Sequence, residues 1–264
     1  MTWQPIDCHA HTTLSDGSLT VEELVATVSA RGVRPSVADH LSGDVRYSIK
    51  TVEAVRAYLD ELERYDVARG GEFCWHDALW RQLPDDVAAR FTHWIGSLHA
   101  VFTPAGDRTI SVFAPSLPEE ITPEAYMEMH VANLERLADE MPVDILAHPT
   151  LLPAPFRKMA LEELWTEERE ERAVRALARA GIALEVSSRY RPHPRLVRRA
   201  MDAGVRLSLG SDGHTAEQVG DIGFSLSLVR ALGARDEELY DPFQHGSRVA
   251  GRRRMARAGP PIGR

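Results

Sequence analysis

The chain has 264 residues, 44% of them hydrophobic and 27% charged, with a formal net charge of -8. That balance fits a soluble globular protein, either one α/β barrel or two smaller domains, and it argues against broad binding to nucleic acid or anionic membranes. No apolar run reaches the ~18 residues that span a bilayer, the first residues lack the pattern of a secretion signal, and the two cysteines, Cys8 and Cys74, make no disulfide framework, so a reducing, cytoplasmic setting is expected.

In chain order, residues 4–8 read as a first strand. Thr20 and Glu23 form a capping box that opens a helix. A second strand is expected at 34–38, and Thr51 opens a helix running to about Ala68. Strands follow at 70–74 and 92–98. The proline-rich stretch 103–120 reads as a loop. Thr122-Pro123 opens a helix with proline at its first position, followed by the strand 143–147. A long charged helix is expected over 161–180, stopped by Gly181. The strand 181–186, a helix over 194–203 ending at Gly204, and the strand 205–210 complete the body. Runs such as "VDILA" and "IALEV" are rich in branched aliphatics, as buried parallel strands should be. Strand and helix alternating about seven times imply a parallel sheet with right-handed crossovers. The fold class is α/β, and a closed barrel is more economical than an open doubly wound sheet. The body is expected over 1–247. Residues 248–264, with six arginines and no acidic residue, read as a disordered basic tail.

The ionisable residues fall at the ends of these strands. His9 and His11 alternate with Cys8 and Ala10 after the first, and period-two geometry puts them on one face with Asp7. Asp16 comes from the loop that follows. Asp39 and His40 end the second strand, Glu72 lies near the end of the third, and His99 closes the fourth. His148 closes the fifth, Glu185 lies near the end of the sixth, and Asp212 and His214 follow the seventh. In a parallel barrel those ends share one rim, where active sites are built. A single histidine on a strand is ordinarily a satisfied core residue; six at successive strand ends point to metal. Imidazoles and carboxylates without cysteine pairs suit zinc, manganese or iron. Cys8 alternates away from His9, whereas Cys74, two residues after Glu72, can face inward. His76, His93, His130, His193 and His245 fit the pattern less well and read as structural.

The ordered set Asp7-x-His9-x-His11, Ser15-Asp16-Gly17, Asp39-His40, Gly71-Glu72, Gly96-Ser97-x-His99, His148-Pro149, Glu185-Val186 and Gly210-Ser211-Asp212-x-His214 resembles the PHP family, the polymerase and histidinol phosphatase family of metal-dependent phosphoesterases. The resemblance implies a distorted (β/α)7 barrel and a trinuclear site. One metal would be held by His9, His11, Glu72 and Asp212. Glu72 would bridge to a second held by His99 and His148, and Asp16, His40 and His214 would hold the third. It implies hydrolysis of a phosphomonoester by a metal-bridging hydroxide. Asp7 and Asp39 are then expected to orient histidines, with Asp39 also a candidate for protonating the leaving group. Arg189 and Arg191, in "SSRYRPH" after the sixth strand, are candidates for gripping phosphate. One departure is Ser187, where members often carry asparagine.

The expected partner is a small phosphorylated substrate, with no membrane and no stable nucleic-acid complex. The alternative is a nuclease or 3'-5' nucleotide phosphatase, and the third class is a noncatalytic metal- or phosphosugar-binding module.

Overall fold

The computed structural model describes residues 3–249. Its central sheet is parallel and runs, in spatial order, Leu207–Gly210, Ala183–Ser187, Ile145–Leu146, Ile95–Ser97, Glu72–Cys74 and His40–Leu41. Ser36–Val37 pairs in parallel with Ala68–Arg69. The amide of Gly70 donates to Val37 and that of Glu72 to Asp39, so these short pieces and the strands beyond them are two continuous staves.

Residues 6–11 close the ring. On one side Cys8 N donates to Leu209 O and Asp212 N to His9 O, both at 2.8 Å. On the other, Asp7 N donates to Arg34 O at 3.1 Å and Ala38 N to Ala10 O at 2.8 Å. This seventh stave lies further along than the strand expected at 4–8. It pairs only through isolated bridges, Ile6 with Arg34 and Ala10 with Gly213, rather than through a continuous ladder. Pro5, with no N–H to donate, helps delay its start. The expected barrel closes, with seven staves.

Side-chain alternation fills both faces. Ile6, Cys8, Ala38, Ala68, Ile95, Ile145 and Ala183 gather in one small apolar cluster fed by successive staves. Their neighbours Leu146, Leu184 and Val186 join the larger core that also takes in the helices. Small side chains suit the inside of a narrow barrel, and the bulky ones pack where helix meets sheet.

Helix starts follow the sequence. Thr20 and Glu23 make the capping box, and Thr51 and Thr122 each accept an amide of their first turn. The second helix stops at Leu62, because the chain turns there and pairing with Ser36–Val37 begins at Ala68. The helix expected over 161–180 is two, Leu161–Leu164 and Glu167–Ala180. Trp165 is fully buried at the break, and Thr166 caps the second piece. Gly181 ends it at φ 67°. The stretch 103–120 is not all loop. Thr109–Ser111 folds back antiparallel on Ala100–Phe102, with Gly106 at φ 72° in the connecting turn. Of the expected tail, Arg248 and Val249 are attached to the body: Arg248 N donates to Asp144 at 2.6 Å and Val249 is buried. Residues 250–264 lie outside the described residues.

Candidate metal centre

Glu72 is the hub. It is the first residue of Glu72–Cys74, fully buried, and its neighbour Phe73 faces the outer core. Oε1 lies 3.1 Å from Nε2 of both His99 and His148. Oε2 lies 2.5 Å from His40 Nδ1, 3.6 Å from His9 Nε2 and 3.9 Å from His11 Nε2. A second focus is Asp212, whose Oδ1 is 3.2 Å from His11 Nε2 and 4.0 Å from His9 Nε2. The third is Asp16, whose Oδ1 is 3.4 Å from His214 Nε2, 3.6 Å from His40 Nε2 and 3.9 Å from His11 Nδ1.

These atoms form four overlapping groups able to hold a cation: His11, Asp16, His40 and His214; His9, Glu72 and His148; His9, His11 and Asp212; and His40, Glu72 and His99. Together they draw on all nine residues picked out in the sequence. The partition differs in detail from the expected one, since His11 joins the Asp16 group and His40 also reaches Glu72.

The donors fit metal. His40 Nδ1 and Glu72 Oε2 stand 2.5 Å apart, yet neither atom has a directed hydrogen bond, and His11 Nδ1 is equally unpartnered. Buried polar atoms normally find partners. Here lone pairs are aimed into a common space, at a cost that a cation offsets. Imidazole nitrogen with carboxylate oxygen, and no thiolate among them, is a donor set for zinc, manganese or iron.

The electrostatics say the same. Burial opposes ionisation of Glu72, but the surrounding His99, His40 and His9 hold it well below the usual carboxylate range. Burial works against a charged His40, yet Glu72 and Asp16 raise its pKa to about 10. Burial and the neighbouring His40 push His11 down to about 3. The cluster demands positive charge beside its carboxylates and cannot carry it on every ring.

Two site residues sit in left-handed backbone, His148 at φ 25° and Asp212 at φ 49°. Such conformations cost on the order of 1–3 kcal/mol each and persist where surrounding bonds hold them. Glu185 accepts the His148 amide at 2.7 Å, and His9 O accepts that of Asp212.

The roles expected of the carboxylates change. Asp39 orients no ring. It accepts from Thr12 N at 2.8 Å, Thr12 Oγ1 at 2.7 Å and Ser15 Oγ at 2.5 Å, which fixes the turn that carries Asp16. Fully enclosed, it spends both carboxylate oxygens on these bonds. Burial lifts its pKa to about 6 against those hydrogen bonds. Asp7 does the same for the opposite loop, accepting from Ser211 N at 2.8 Å, Ser211 Oγ at 2.5 Å and Gly220 N at 2.9 Å. The residue that does orient a ring is Glu185, whose Oε1 lies 2.7 Å from His9 Nδ1. Its strand-end position and its place in the Glu185-Val186 pair were the signals in the sequence. Cys74 joins no group, but its Sγ lies 3.0 Å from Nδ1 of His99, behind the ring.

Arg189 reaches the rim of the cluster, 40% exposed, with Nη1 3.1 Å from Asp212 O and 2.8 Å from His214 Nδ1. Arg191 does not: its guanidinium lies 4.9 Å over the Phe224 ring and its Nε donates to Ser188 O. The remaining histidines stay outside the groups among the described residues. His93 donates to Cys8 O, His130 to Pro149 O, and His193 pairs with Glu170.

No protein-family model and no curated protein sequence matches the chain. Among solved structures, it is similar to histidinol phosphate phosphatase from Lactococcus lactis subsp. lactis Il1403, crystallised with zinc, L-histidinol and phosphate. The TM-score is 0.73 and the identity 17%, over 93% of this chain and 98% of that one. The overall fold is therefore one that this chain shares with that protein.

Proposed function

We propose that the chain is a metal-dependent phosphomonoesterase of the PHP type, acting on a small phosphorylated molecule. One observation carries the reading: six imidazoles and three carboxylates from six of the seven staves and their loops converge in one largely buried cluster. The shared fold supports it, because the similar protein holds zinc and phosphate.

His9, His11 and Asp212 would hold one cation, Glu72 with His99 and His148 a second, and Asp16, His40 and His214 a third. When bound, such cations polarise a phosphoryl oxygen and lower the pKa of water. The chain's own residues do the rest. Glu185 fixes His9, Asp39 and Asp7 fix the loops that present Asp16 and Asp212, and Cys74 backs His99. Arg189 stands where its planar fork can turn from the Asp212 carbonyl to the outer oxygens of a phosphate. The net charge of -8 disfavours a long polyanion outside the cluster.

The test measures bound metal and phosphate release together, in the native protein and in His148→Ala. The substrates are histidinol phosphate, a mononucleotide and an oligonucleotide. The reading expects bound zinc, manganese or iron, turnover of a monoester, and near-complete loss of both turnover and part of the metal in His148→Ala. Release of nothing by fully loaded protein would make the site a binding module. Faster cleavage of the oligonucleotide would make it a nuclease.

A further inference from the structure

We infer that His99 is set for metal by a hydrogen-bonded chain behind its ring, Cys74 to Ser42 to Asp77, in which Cys74 is the positioning residue that touches the imidazole. This rests on the metal-dependent reading above and deepens it.

The observation is how the two nitrogens of His99 are divided. Nε2 lies 3.1 Å from Glu72 Oε1, on the side of the cluster, and Nδ1 lies 3.0 Å from Cys74 Sγ, away from it. Both residues are buried. The thiol is hydrogen-bonded to His99 on one side and to the hydroxyl of Ser42 on the other. Ser42 Oγ in turn donates to Asp77 Oδ2. Asp77 ends the chain, because its oxygens also accept the amides of Gly43 at 2.9 Å and Leu79 at 2.8 Å.

That end sets the direction of every link. A carboxylate placed among donors accepts, so Ser42 spends its one proton on Asp77 and offers its oxygen elsewhere. The amides of Asp44 and Val45 approach that oxygen at 3.3 and 3.2 Å, so it receives in its other contacts too. Cys74 then gives its S–H to Ser42 and its sulfur lone pairs to the ring. When a cation takes Nε2, the single proton of a neutral imidazole must sit on Nδ1, and the chain is directed to receive it there. Ser97 is the rival partner, with Oγ 3.4 Å from Nδ1, but it donates to Phe73 O at 3.3 Å and stands 3.9 Å from Sγ, beside the thiol. The contrast with His9 sets the size of the effect. There the carboxylate of Glu185 meets the ring itself, at 2.7 Å. Behind His99 the carboxylate is two side chains removed and sulfur, a weak acceptor, makes the contact. Loss of Cys74 should therefore cost metal at the lower end of what a direct carboxylate partner supplies.

The test is a stepwise zinc titration of the full chain, in the native protein, Cys74→Ala, Cys74→Ser, Asp77→Asn and the double variant Cys74→Ala/Asp77→Asn. Cys74→Ala should weaken one zinc step by roughly ten-fold. Cys74→Ser keeps a donor and an acceptor at that position and should recover most of the loss. Asp77→Asn places a donor where the chain needs an acceptor and should weaken the same step, although it does not touch His99. The double variant should be no weaker than the worse single one, because residues of one chain do not add. A second readout is nuclear magnetic resonance of the zinc-loaded protein, where the Nδ1 proton of His99 should be protected from exchange in the native protein and in Cys74→Ser, and lose that protection in Cys74→Ala. Native zinc affinity in Cys74→Ala, no recovery in Cys74→Ser, or additive losses in the double variant overturn the inference. Should Asp77→Asn fail to fold, the comparison of Cys74→Ala with Cys74→Ser decides. Neither readout depends on turnover. If both hold and no phosphomonoester is hydrolysed, the phosphomonoesterase reading falls and the chain behind His99 stands; if phosphate is released and Cys74→Ala binds zinc as the native protein does, the reverse holds.

Discussion

Oε1 of Glu185 lies 2.7 Å from Nδ1 of His9, and both side chains are fully buried. The contact leaves His9 Nε2 facing Glu72 and Asp212. A carboxylate behind a ligating imidazole fixes its tautomer and raises its basicity, and loss of such a partner typically costs 10–100-fold in metal affinity. Glu185→Gln should therefore weaken zinc binding by roughly that factor with unchanged circular dichroism. Gly210→Ala is a second route to the same defect, since a Cβ there would press on Glu185 Oε1. Unchanged zinc affinity in Glu185→Gln would show that His9 needs no orienting partner.

Asp39 acts on a loop rather than a ring. Its hydrogen bonds to Thr12 and Ser15 set the turn that presents Asp16. Asp39→Asn keeps the volume but turns one acceptor into a donor. Hydrogen bonds to a charged group are worth about 1.5–3 kcal/mol each, so a stability loss of about 2 kcal/mol in urea unfolding is expected. Metal titration should show the Asp16 site weakened while binding at Glu72 persists. A variant that lost all metal together would show that the three foci do not fill separately.

Two buried histidines outside the cluster set an acid limit on stability. Burial pushes His93 down to about 4, and burial does the same to His130. The unfolded chain takes up these protons near the ordinary value of about 6.5, before the folded protein does. Below that pH the unfolded state binds more protons, so stability falls as pH drops from about 6.5 towards 4 and is complete above this window. Each residue accounts for about 3 kcal/mol across it. In His93→Asn the slope of unfolding free energy against pH should be shallower by that amount over pH 4–6.5; an unaltered slope would mean that His93 is protonated in the folded protein.

Arg189 and Arg191 stand two residues apart and should behave oppositely. Arg189→Lys removes the planar fork beside Asp212 and His214, and a rise in KM of roughly ten-fold for a phosphomonoester is expected, with metal content unchanged. Arg191→Lys should be nearly silent, because that guanidinium is stacked on Phe224. Kinetics that responded to Arg191 and not to Arg189 would reverse the assignment.

The metal-type residues were legible because most of them follow or end an apolar run, and a parallel barrel turns such positions into one rim. All nine meet in the structure for that reason. The departures have local causes. Trp165 breaks a helix whose charge pattern looked continuous, because burying that ring outweighs helix continuity. The hairpin at Thr109–Ser111 was hidden by the prolines around it. Asp7 and Asp39 have the spacing of ring-orienting groups, yet the amides and hydroxyls they bind lie 204 and 27 positions away, a distance that no periodicity encodes. The Cys74 contact to His99 spans two staves and was legible only as an inward-facing position.

The bond from Asp7 to Ser211 has a consequence for how the protein is made. Ribosomes build from the N-terminus, so the segment bearing His9 and His11 emerges long before the stave that closes against it. Local helices can form as they appear, but this closure joins the two ends of the described body, and contacts of such separation form slowly. Until Leu207–Gly210 is available, the first stave lacks one edge, and its histidines lack Asp212. A nascent chain arrested before residue 207 would therefore carry most of the ligating side chains and no assembled centre, which makes metal uptake a late event that reports completion of the barrel.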